Sequence, residues 1–416
     1  MGKIKKITAR EIINSTGEPT IETRVELDNG LFSKASVPSG TSVGSYEAFD
    51  MIDFDKKRFF GHGRLRAIAK VNEIISPALV GMEAGWQEAI DKKMIELDGR
   101  EDKSSLGANS MLSVSLAVAR VAALEQKEEL YFYLQKKYNY EKPSLPIPIF
   151  NFFNGGKHAD TNLDFQEFLY IPKKKKIAEM IRQGVEVFKS LKQELKAVGY
   201  DTDVGLEGGF APELNSSIEA LELISAASLR AGYEPKLDYH LGIDIGSEML
   251  YDEKKGKYIF ALDNSYLVND SLISLYENWL EKYPLLYLED GIAENDWDSW
   301  QKLTERLGEK LLIVGDDLFA TNIERLRLGL QKKTANSIII KPNQVGTLTE
   351  TIECIKLAQN HNYKIIVSHR SQETNDDFIV DLAVATGADY LKAGSLSRGE
   401  RVAKYNRLLE IGQIIE

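Results

Sequence analysis

The sequence has almost no cysteine and no long apolar run, and each absence excludes a class of protein. Its 416 residues include one cysteine, Cys354, so no disulfide can form within the chain. A protein without disulfides fits a reducing compartment, and we expect a cytoplasmic protein in which Cys354 is an inert buried thiol. The apolar runs are too short to span a bilayer, which argues against a membrane-spanning segment.

Basic residues are also fewer than acidic ones, since the chain has 52 Lys and Arg but 63 Asp and Glu, which gives a net charge of −11. General nucleic-acid binding requires a basic face, so this class is not expected. The lysine run at 173–176 is a local exception, and its place after Pro172 indicates a solvated loop. The length favours two domains, and the apolar fraction of 43% is typical of a soluble globular protein.

What the sequence does contain is one pattern that occurs six times between residues 240 and 394, a short apolar run that ends in a polar residue. Runs that are apolar on both faces indicate buried parallel strands. Between the runs, Thr321 with Glu324 and Thr347 with Glu350 have the spacing of a helix capping box. The alternation of strand and helix predicts a parallel sheet, and this many units predict a closed TIM-type barrel.

The residues that end these runs should meet at one mouth of such a barrel, and they are Asp244, Glu289, Asp316, Lys341, His369 and Lys392. Three carboxylates in one mouth repel each other unless a divalent cation lies among them, and an oxygen ligand set favours Mg²⁺ over Zn²⁺. Two lysines together with Arg370 suit an anionic substrate. For any single residue, the alternative that it merely ends its own strand stays open.

The first 140 residues have a different character. Residues 3–38 alternate polar and apolar side chains around an Asp-Asn-Gly turn, which predicts a three-stranded antiparallel meander. The segment 38–45, rich in Gly and Ser, is either a linker or a lid that reaches a bound anion or metal. Helices should occupy residues 65–140. We predict an α+β N-terminal domain over 1–140 and a catalytic barrel domain over 141–416, with the boundary in the Glu- and Lys-rich segment 125–142.

Two glycine-rich loops in the second domain each contain one titratable residue, His158 and Glu207. A metal held by carboxylates beside a lysine suits the removal of a proton next to a substrate carboxylate. Lys341 and Lys392 are the candidate pair for such a base, because a nearby metal and the positive charge of the second lysine should lower the pKa of the first. Glu207 is the candidate acid that assists a leaving group.

The sequence resembles the enolase family along essentially its whole length. The motifs that carry the resemblance include the lid segment 37–47, Glu-Gly-Gly-Phe-Ala-Pro at 207–212, Lys-Pro-Asn-Gln at 341–344 and Ser-His-Arg-Ser at 368–371. The resemblance implies a barrel of ββαα(βα)6 order with one antiparallel strand, behind an α+β domain. It also implies a homodimer or octamer with the activity of a phosphopyruvate hydratase, which interconverts 2-phosphoglycerate and phosphoenolpyruvate in glycolysis.

The same resemblance implies two Mg²⁺ ions and a role for each site residue. Three carboxylates would hold the higher-affinity ion, namely Asp244, Glu289 and Asp316. Ser42 in the lid segment would contribute to a second ion shared with the substrate. Lys341 would remove the C2 proton, and Glu207 would protonate the departing C3 hydroxyl. The residues implied to contact or enclose the substrate lie around the same mouth, and they are His158, Glu167, Glu289, Asp316, His369, Arg370, Ser371 and Lys392. Among them, Arg370 and Ser371 would hold the phosphate.

Several departures from the family pattern leave two further interpretations open. Leu206 stands where the family usually has Asp. Either its apolar side chain raises the pKa of Glu207 by desolvation, or the loop lies differently from that of the family. The remaining departures are Asn14 and Thr16 in a subunit-contact motif, Gln372 after the phosphate-binding serine, and the turn 395–398. None of them removes a catalytic group. The alternatives are a related lyase for another phosphorylated hydroxy acid, and a divergent, catalytically weak paralogue that acts as a binding or scaffold protein.

Overall fold

The computed structural model describes residues 1–41 and 44–416, and it begins with the predicted antiparallel meander. Its strands are β1 (Ile4–Ile13), β2 (Pro19–Leu27) and β3 (Phe32–Ser36). Gly30 makes the turn between β2 and β3 with a φ of 86°, a left-handed conformation that glycine adopts without steric cost. Side chains alternate along β2, where Ile21, Val25 and Leu27 are buried.

Helices follow the meander, and in chain order they are α1 (Leu65–Ala69), α2 (Ser76–Leu79), α3 (Gln87–Asp98), α4 (Ala108–Gln126) and α5 (Leu130–Lys137). Helix α4 is almost entirely buried and packs against β2 and β3, as its small apolar side chains predict. Helix α5 lies inside the segment 125–142 that was predicted to connect the domains. Its Tyr131 and Leu134 are buried, and residues 138–146 lead from α5 to the next strand.

The second part of the chain forms the predicted closed eight-stranded barrel, with a small separate sheet of three strands, β7 to β9. The strands are β4 (Ile147–Asn154), β5 (Glu167–Pro172), β6 (Tyr239–Asp244), β7 (Tyr251–Asp252), β8 (Lys257–Phe260), β9 (Ser265–Leu267), β10 (Leu285–Glu289), β11 (Leu312–Gly315), β12 (Ser337–Ile340), β13 (Lys364–Ser368) and β14 (Tyr390–Lys392). The helices are α6 (Ile177–Ala197), α7 (Ser217–Arg230), α8 (Asn269–Lys282), α9 (Trp297–Leu307), α10 (Ile323–Lys332), α11 (Leu348–Asn360), α12 (Phe378–Thr386) and α13 (Gly399–Ile415).

Strand β5 runs antiparallel to both of its neighbours, β4 and β6, whereas the other neighbouring barrel strands pair in parallel. Each barrel strand from β6 onward is followed by a helix, while β4 and β5 precede α6 and α7. The all-parallel barrel expected from the strand rhythm is therefore wrong at β5, and the ββαα(βα)6 order is confirmed. Because β5 starts where its neighbours end, its first residue Glu167 pairs with Asp244, the last residue of β6.

The interior of the barrel is a packed apolar layer, and its buried members are Ile149, Leu169, Ile171, Tyr287, Val314, Ile339 and Ile366. A filled interior leaves a site only at a rim, where strand ends and loops meet. Cys354 on α11 is buried, and desolvation raises the pKa of its thiol to about 12, as an inert thiol requires. Within residues 1–41 and 44–416, none of the helices has the length and apolar character needed to cross a membrane.

Candidate active site

The six polar residues predicted at the strand ends do lie at one rim of the barrel. They are the last residues of their strands or come directly after them, namely Asp244 (β6), Glu289 (β10), Asp316 (β11), Lys341 (β12), His369 (β13) and Lys392 (β14). Parallel strands in a barrel end at the same face, so the register of the sheet brings these side chains together.

Lys392 is the centre of a buried ionic network. Its Nζ lies 2.7 Å from Oε2 of Glu289, 3.1 Å from Oε2 of Glu167 and 3.2 Å from Oδ2 of Asp244. The hydroxyl of Tyr287 also donates to Glu289. Burial disfavours the charged lysine, but the carboxylates outweigh it and raise the pKa of Lys392 well above its ordinary value. Lys392 is therefore a permanent cation in this network.

Lys341, the candidate base, forms an ion pair with Asp316. Its backbone N–H donates to the Thr321 hydroxyl at 2.9 Å, and Gln344 Nε2 donates to Oδ1 of Asp316 at 3.3 Å. Burial lowers the pKa of Lys341, yet contact with Asp316 raises it above its ordinary value. Lys392 does act to lower this pKa, as predicted, but the Asp316 carboxylate in direct contact outweighs the more distant cation.

A second buried cluster contains the candidate acid. Nδ1 of His158 lies 3.4 Å from Oε2 of Glu207 and 3.5 Å from Oε1 of Glu167. Two amides of β4 converge on the same Glu207 oxygen, since Nδ2 of Asn151 donates at 2.7 Å and Nδ2 of Asn154 at 3.4 Å. The cluster is formed by the β4–β5 hairpin and the loop before α7, so the antiparallel strand delivers Glu167 to the same rim.

The three titratable residues of this cluster differ in pKa and therefore in how readily they hold a proton. Burial disfavours a charged His158, but the two carboxylates raise its pKa to about 10. Burial and the charge of Glu207 raise the pKa of Glu167 to about 7. Burial also acts to raise the pKa of Glu207, yet His158 holds it well below the ordinary value. Desolvation therefore acts in the predicted direction but is outweighed by the charge of His158, and the contribution of Leu206 itself stays a prediction.

The predicted phosphate-binding residues are engaged by the segment that follows β3. The Arg370 guanidinium donates to both carboxylate oxygens of Glu47, at 2.8 and 3.1 Å. The backbone N–H of Thr41 donates to Oγ of Ser371 at 2.9 Å, and the two hydroxyls are 2.8 Å apart. These contacts favour the lid interpretation of this segment over the linker. Ser42, the predicted ligand of a second metal, lies outside the described residues.

The acidic donors fit a hard divalent cation. Burial and the charge of Asp244 raise the pKa of Glu289 to about 8, and burial raises that of Asp244 to about 6. Oε1 of Glu289 is buried without a hydrogen-bond partner. A cation among these oxygens would relieve their repulsion and give Oε1 a ligand. Among the described residues, two groups bring potential metal-ligand atoms within 4.8 Å of one another. One group is His158, Glu167 and Glu207, and the other is Asp290, Asp316 and Asp317.

The space between these side chains is small, with a volume of about 30 Å³. One water needs roughly 10–15 Å³ on this measure, so the closed site holds no more than a few waters. Gly40 and Glu47 from the lid segment line the cavity together with the barrel residues. The described residues therefore leave no room for an organic anion with a phosphate group in this closed form.

Several residues that shape the site were not predicted, and they are Glu47, Asn151, Asn154, Tyr287, Thr321 and Gln344. A signal was present for two of them. Asn151 interrupts an otherwise apolar strand, and Tyr287 lies two residues before Glu289 on the same face of β10. Glu47 offers no local signal, because its partner is 323 residues away.

Comparison with protein families accounts for nearly the whole chain. The family model described as the enolase N-terminal domain matches residues 4–134, and that described as the enolase C-terminal TIM barrel domain matches residues 142–416. The antiparallel meander with its helices and the ββαα(βα)6 barrel agree with these two matches. The chain therefore belongs to the enolase family.

Proposed function

We propose that this protein is a phosphopyruvate hydratase, which reversibly removes water from 2-phospho-D-glycerate to give phosphoenolpyruvate. One observation carries the proposal. A single rim contains a partly buried lysine, Lys341, and a separate proton-bearing cluster of His158 and Glu167 with Glu207. Removal of a C–H proton and departure of a hydroxyl need these two kinds of group at once. Membership of the enolase family supports lyase chemistry of this type.

Lys341 would remove the proton from C2. It is charged while it is paired with Asp316, so the neutral base forms only when that carboxylate has another counter-ion. Asp244, Glu289 and Asp316 would hold Mg²⁺, with a second ion expected at Ser42, and the bound metal would supply positive charge that stabilises the substrate carboxylate as it becomes doubly negative. Lys392 adds a fixed positive charge to the same region.

Glu207 would pass a proton to the departing C3 hydroxyl. It is ionised in the structure, so its proton must come from its neighbours. Glu167 has a pKa of about 7 and His158 is protonated, and both lie against Glu207. The cluster therefore works as one acid whose proton is available near neutral pH.

Arg370 and Ser371 would bind the phosphate. Both are already oriented by Glu47 and Thr41, whose carboxylate and hydroxyl oxygens occupy positions that phosphate oxygens could take. A guanidinium suits the planar, bidentate recognition of a phosphate. In this proposal the lid segment exchanges its own contacts for those of the substrate.

The direct test mixes the purified protein with 2-phosphoglycerate and Mg²⁺ and follows the ultraviolet absorbance of phosphoenolpyruvate. We expect rapid product formation that stops when a chelator is added. Bound substrate without product, measured by calorimetry, would contradict the proposal and favour a related lyase or a scaffold protein. Family membership also supports a homodimer or octamer, which light scattering of the same sample would measure.

A further inference from the structure

A buried arginine on the C-terminal helix contacts both loops that carry the acid and the phosphate-binding residues. Arg401 lies in the first turn of α13 and is 0% exposed. Its Nη1 donates to Nδ1 of His369 at 2.5 Å and to the carbonyl oxygen of Arg370 at 2.6 Å. Its Nη2 donates to the carbonyl oxygens of Leu206 at 3.1 Å and Ser371 at 2.5 Å. One guanidinium thus bridges the two loops.

The backbone is shaped to admit this side chain. Gly394 follows β14 with a φ of 82°, and a Cβ there would lie 2.7 Å from Cδ of Arg401 and 2.8 Å from the carbonyl oxygen of Glu207. Such distances are shorter than real Cβ contacts, so any larger residue would displace the arginine or the Glu207 loop. Glycine is needed here for close approach as well as for its φ.

The contact with His369 determines which ring nitrogen carries the proton. A guanidinium has only donors and stays charged, so Nδ1 of His369 must accept. In the neutral ring the proton is therefore on Nε2, which lies 3.8 Å from Oε1 of Glu207. The imidazole presents an N–H to the acid cluster as a consequence of the arginine on its other side.

The charges around His369 keep the ring neutral. Glu207 faces it from the loop before α7, Lys392 from β14, and Arg401 and Lys404 from α13. Burial and the three cations outweigh the single carboxylate, and they hold the pKa of His369 well below its ordinary value. The ring therefore does not become an imidazolium near neutral pH.

We propose that Arg401 is a positioning residue that locks His369 in the neutral Nε2–H tautomer and ties the loop before Glu207 to the loop of Arg370 and Ser371. The tautomer follows from the contacts alone. The kinetic consequence rests on the proposed function, because it requires a reaction that uses Glu207 and Arg370. Loss of the guanidinium would free both loops and leave Nδ1 without its donor.

The first experiment uses the unmodified protein. The chain has five histidines, so ¹⁵N labelling of histidine gives a simple two-bond ¹⁵N–¹H spectrum, and His369→Gln assigns the ring of interest. We expect one neutral form, protonated on Nε2, whose signals do not change between about pH 8 and about pH 6. A ring protonated on Nδ1, or an imidazolium in this range, would overturn the inference.

The second experiment compares Arg401→Met with Lys404→Met. Lys404 is a matched control, since it is a buried cation of the same helix that contacts Glu373 Oε2 at 3.0 Å and the carbonyl oxygen of Thr374 at 3.1 Å. We expect Arg401→Met to give mixed tautomers of His369 and a kcat lower by roughly 10²-fold, the cost of misplacing a catalytic group. Lys404→Met should keep the single tautomer.

Arg401→Lys should recover part of the lost kcat, because an ammonium can reach one of the acceptors but cannot bridge both loops. Equal histidine spectra and equal losses of kcat in Arg401→Met and Lys404→Met would contradict the positioning role. If the unmodified protein does not convert 2-phosphoglycerate, the proposed function fails. The histidine spectra then still decide whether Arg401 fixes the tautomer.

Discussion

At the scale of single residues, the cations of the site are paired with carboxylates of the chain itself. Lys341 is paired with Asp316, and Arg370 with Glu47. Removing one member of a buried ion pair leaves the other charge uncompensated, which lowers the free energy of unfolding as well as activity. Substitutions at this site therefore need controls that separate catalysis from stability.

Lys341→Ala should reduce turnover of 2-phosphoglycerate by about 10²–10⁴-fold, the range for a lost general base. Asp316 keeps Gln344 as a hydrogen-bond donor, so we expect a folded protein that still binds the substrate. Initial rates and calorimetric binding are the measurements, and Lys310→Ala at an exposed position is the control. Turnover that survives the substitution would reject Lys341 as the base.

Leu206→Asp should shift the pH dependence of kcat to higher pH. A second negative charge next to Glu207 raises the pKa values of the acid cluster, because it favours the protonated forms of Glu207, Glu167 and His158. Leu206→Asn has a similar shape without the charge and should leave the profile in place. If the pH profiles of kcat for Leu206→Asp and Leu206→Asn superimpose, a negative charge at position 206 does not influence the acid cluster, which would contradict this prediction.

At the scale of secondary-structure elements, one of the two predicted capping boxes is confirmed in its N-cap residue, Thr347. Oγ1 of Thr347 accepts from the backbone N–H of Glu350 at 3.2 Å and donates to its side chain at 2.6 Å. The box predicted at Thr321 is wrong, because Thr321 has a left-handed φ of 53° and Asn322 caps α10 instead. The Thr321 hydroxyl holds the backbone N–H of Lys341.

Because Asn322 caps α10 and Thr321 contacts Lys341, substitutions at these adjacent residues should have different effects, one on stability and one on activity. Asn322→Ala removes two hydrogen bonds at the start of α10 and should lower the free energy of unfolding by about 1 kcal/mol with activity retained. Thr321→Ala should lower kcat, because Lys341 loses the acceptor of its backbone N–H. Urea unfolding and initial rates distinguish the two outcomes. Equal activity in both variants would contradict the role given to Thr321.

The sequence predicts elements well where the pattern is local. The six apolar runs became β6 and β10 to β14, since a strand buried on both faces is continuously apolar. An apolar run is the same in a parallel and an antiparallel strand, so periodicity did not reveal the antiparallel direction of β5. The presence of one antiparallel strand came only from the family resemblance. Contacts such as Glu47 with Arg370 join distant parts of the chain, and no local pattern encodes them.

At the scale of the whole molecule, partly buried ion pairs join the two proposed domains, 1–140 and 141–416. Arg120 on α4 donates to both oxygens of Asp376 at 2.6 and 2.9 Å and to Asp377 at 2.7 Å. Lys103 lies 2.8 Å from Glu350 at the start of α11. Because these contacts hold the meander and its helices against the barrel, we expect both parts to unfold in one transition.

Arg120→Met should lower the free energy of unfolding by up to about 3 kcal/mol, the lower end of the range for buried pairs, because it leaves the largely enclosed carboxylate of Asp376 without its cation. Burial acts to raise the pKa of Asp376, but Arg120 lowers it below the ordinary 3.8. A depressed carboxyl pKa stabilises the fold above the unfolded value, and this stabilisation is lost as the pH falls through the folded pKa. The difference between the two proteins should therefore be full near neutral pH and shrink in acid.

Urea unfolding at about pH 7 and about pH 3 measures this difference. Arg327→Met is the control, since its pair with Glu324 is exposed and should contribute less than about 1 kcal/mol. A difference between the unmodified protein and Arg120→Met that stays constant on acidification would contradict the assignment to Asp376. Two separate transitions in the unmodified protein would contradict the coupling of the domains.

The Glu47 carboxylate on Arg370 has a consequence for how anions compete for the site. When an incoming anion binds the Arg370 guanidinium, the Glu47 carboxylate must leave it. Binding therefore exchanges an anion of the chain for an anion from solution. The local charge changes little in such an exchange, and affinity should depend only weakly on ionic strength. The exchange also favours some anions over others, because an incoming anion must bind Arg370 better than Glu47 does. A simple carboxylic acid offers Arg370 no more than Glu47 already does, whereas a phosphate brings more charge and a third oxygen.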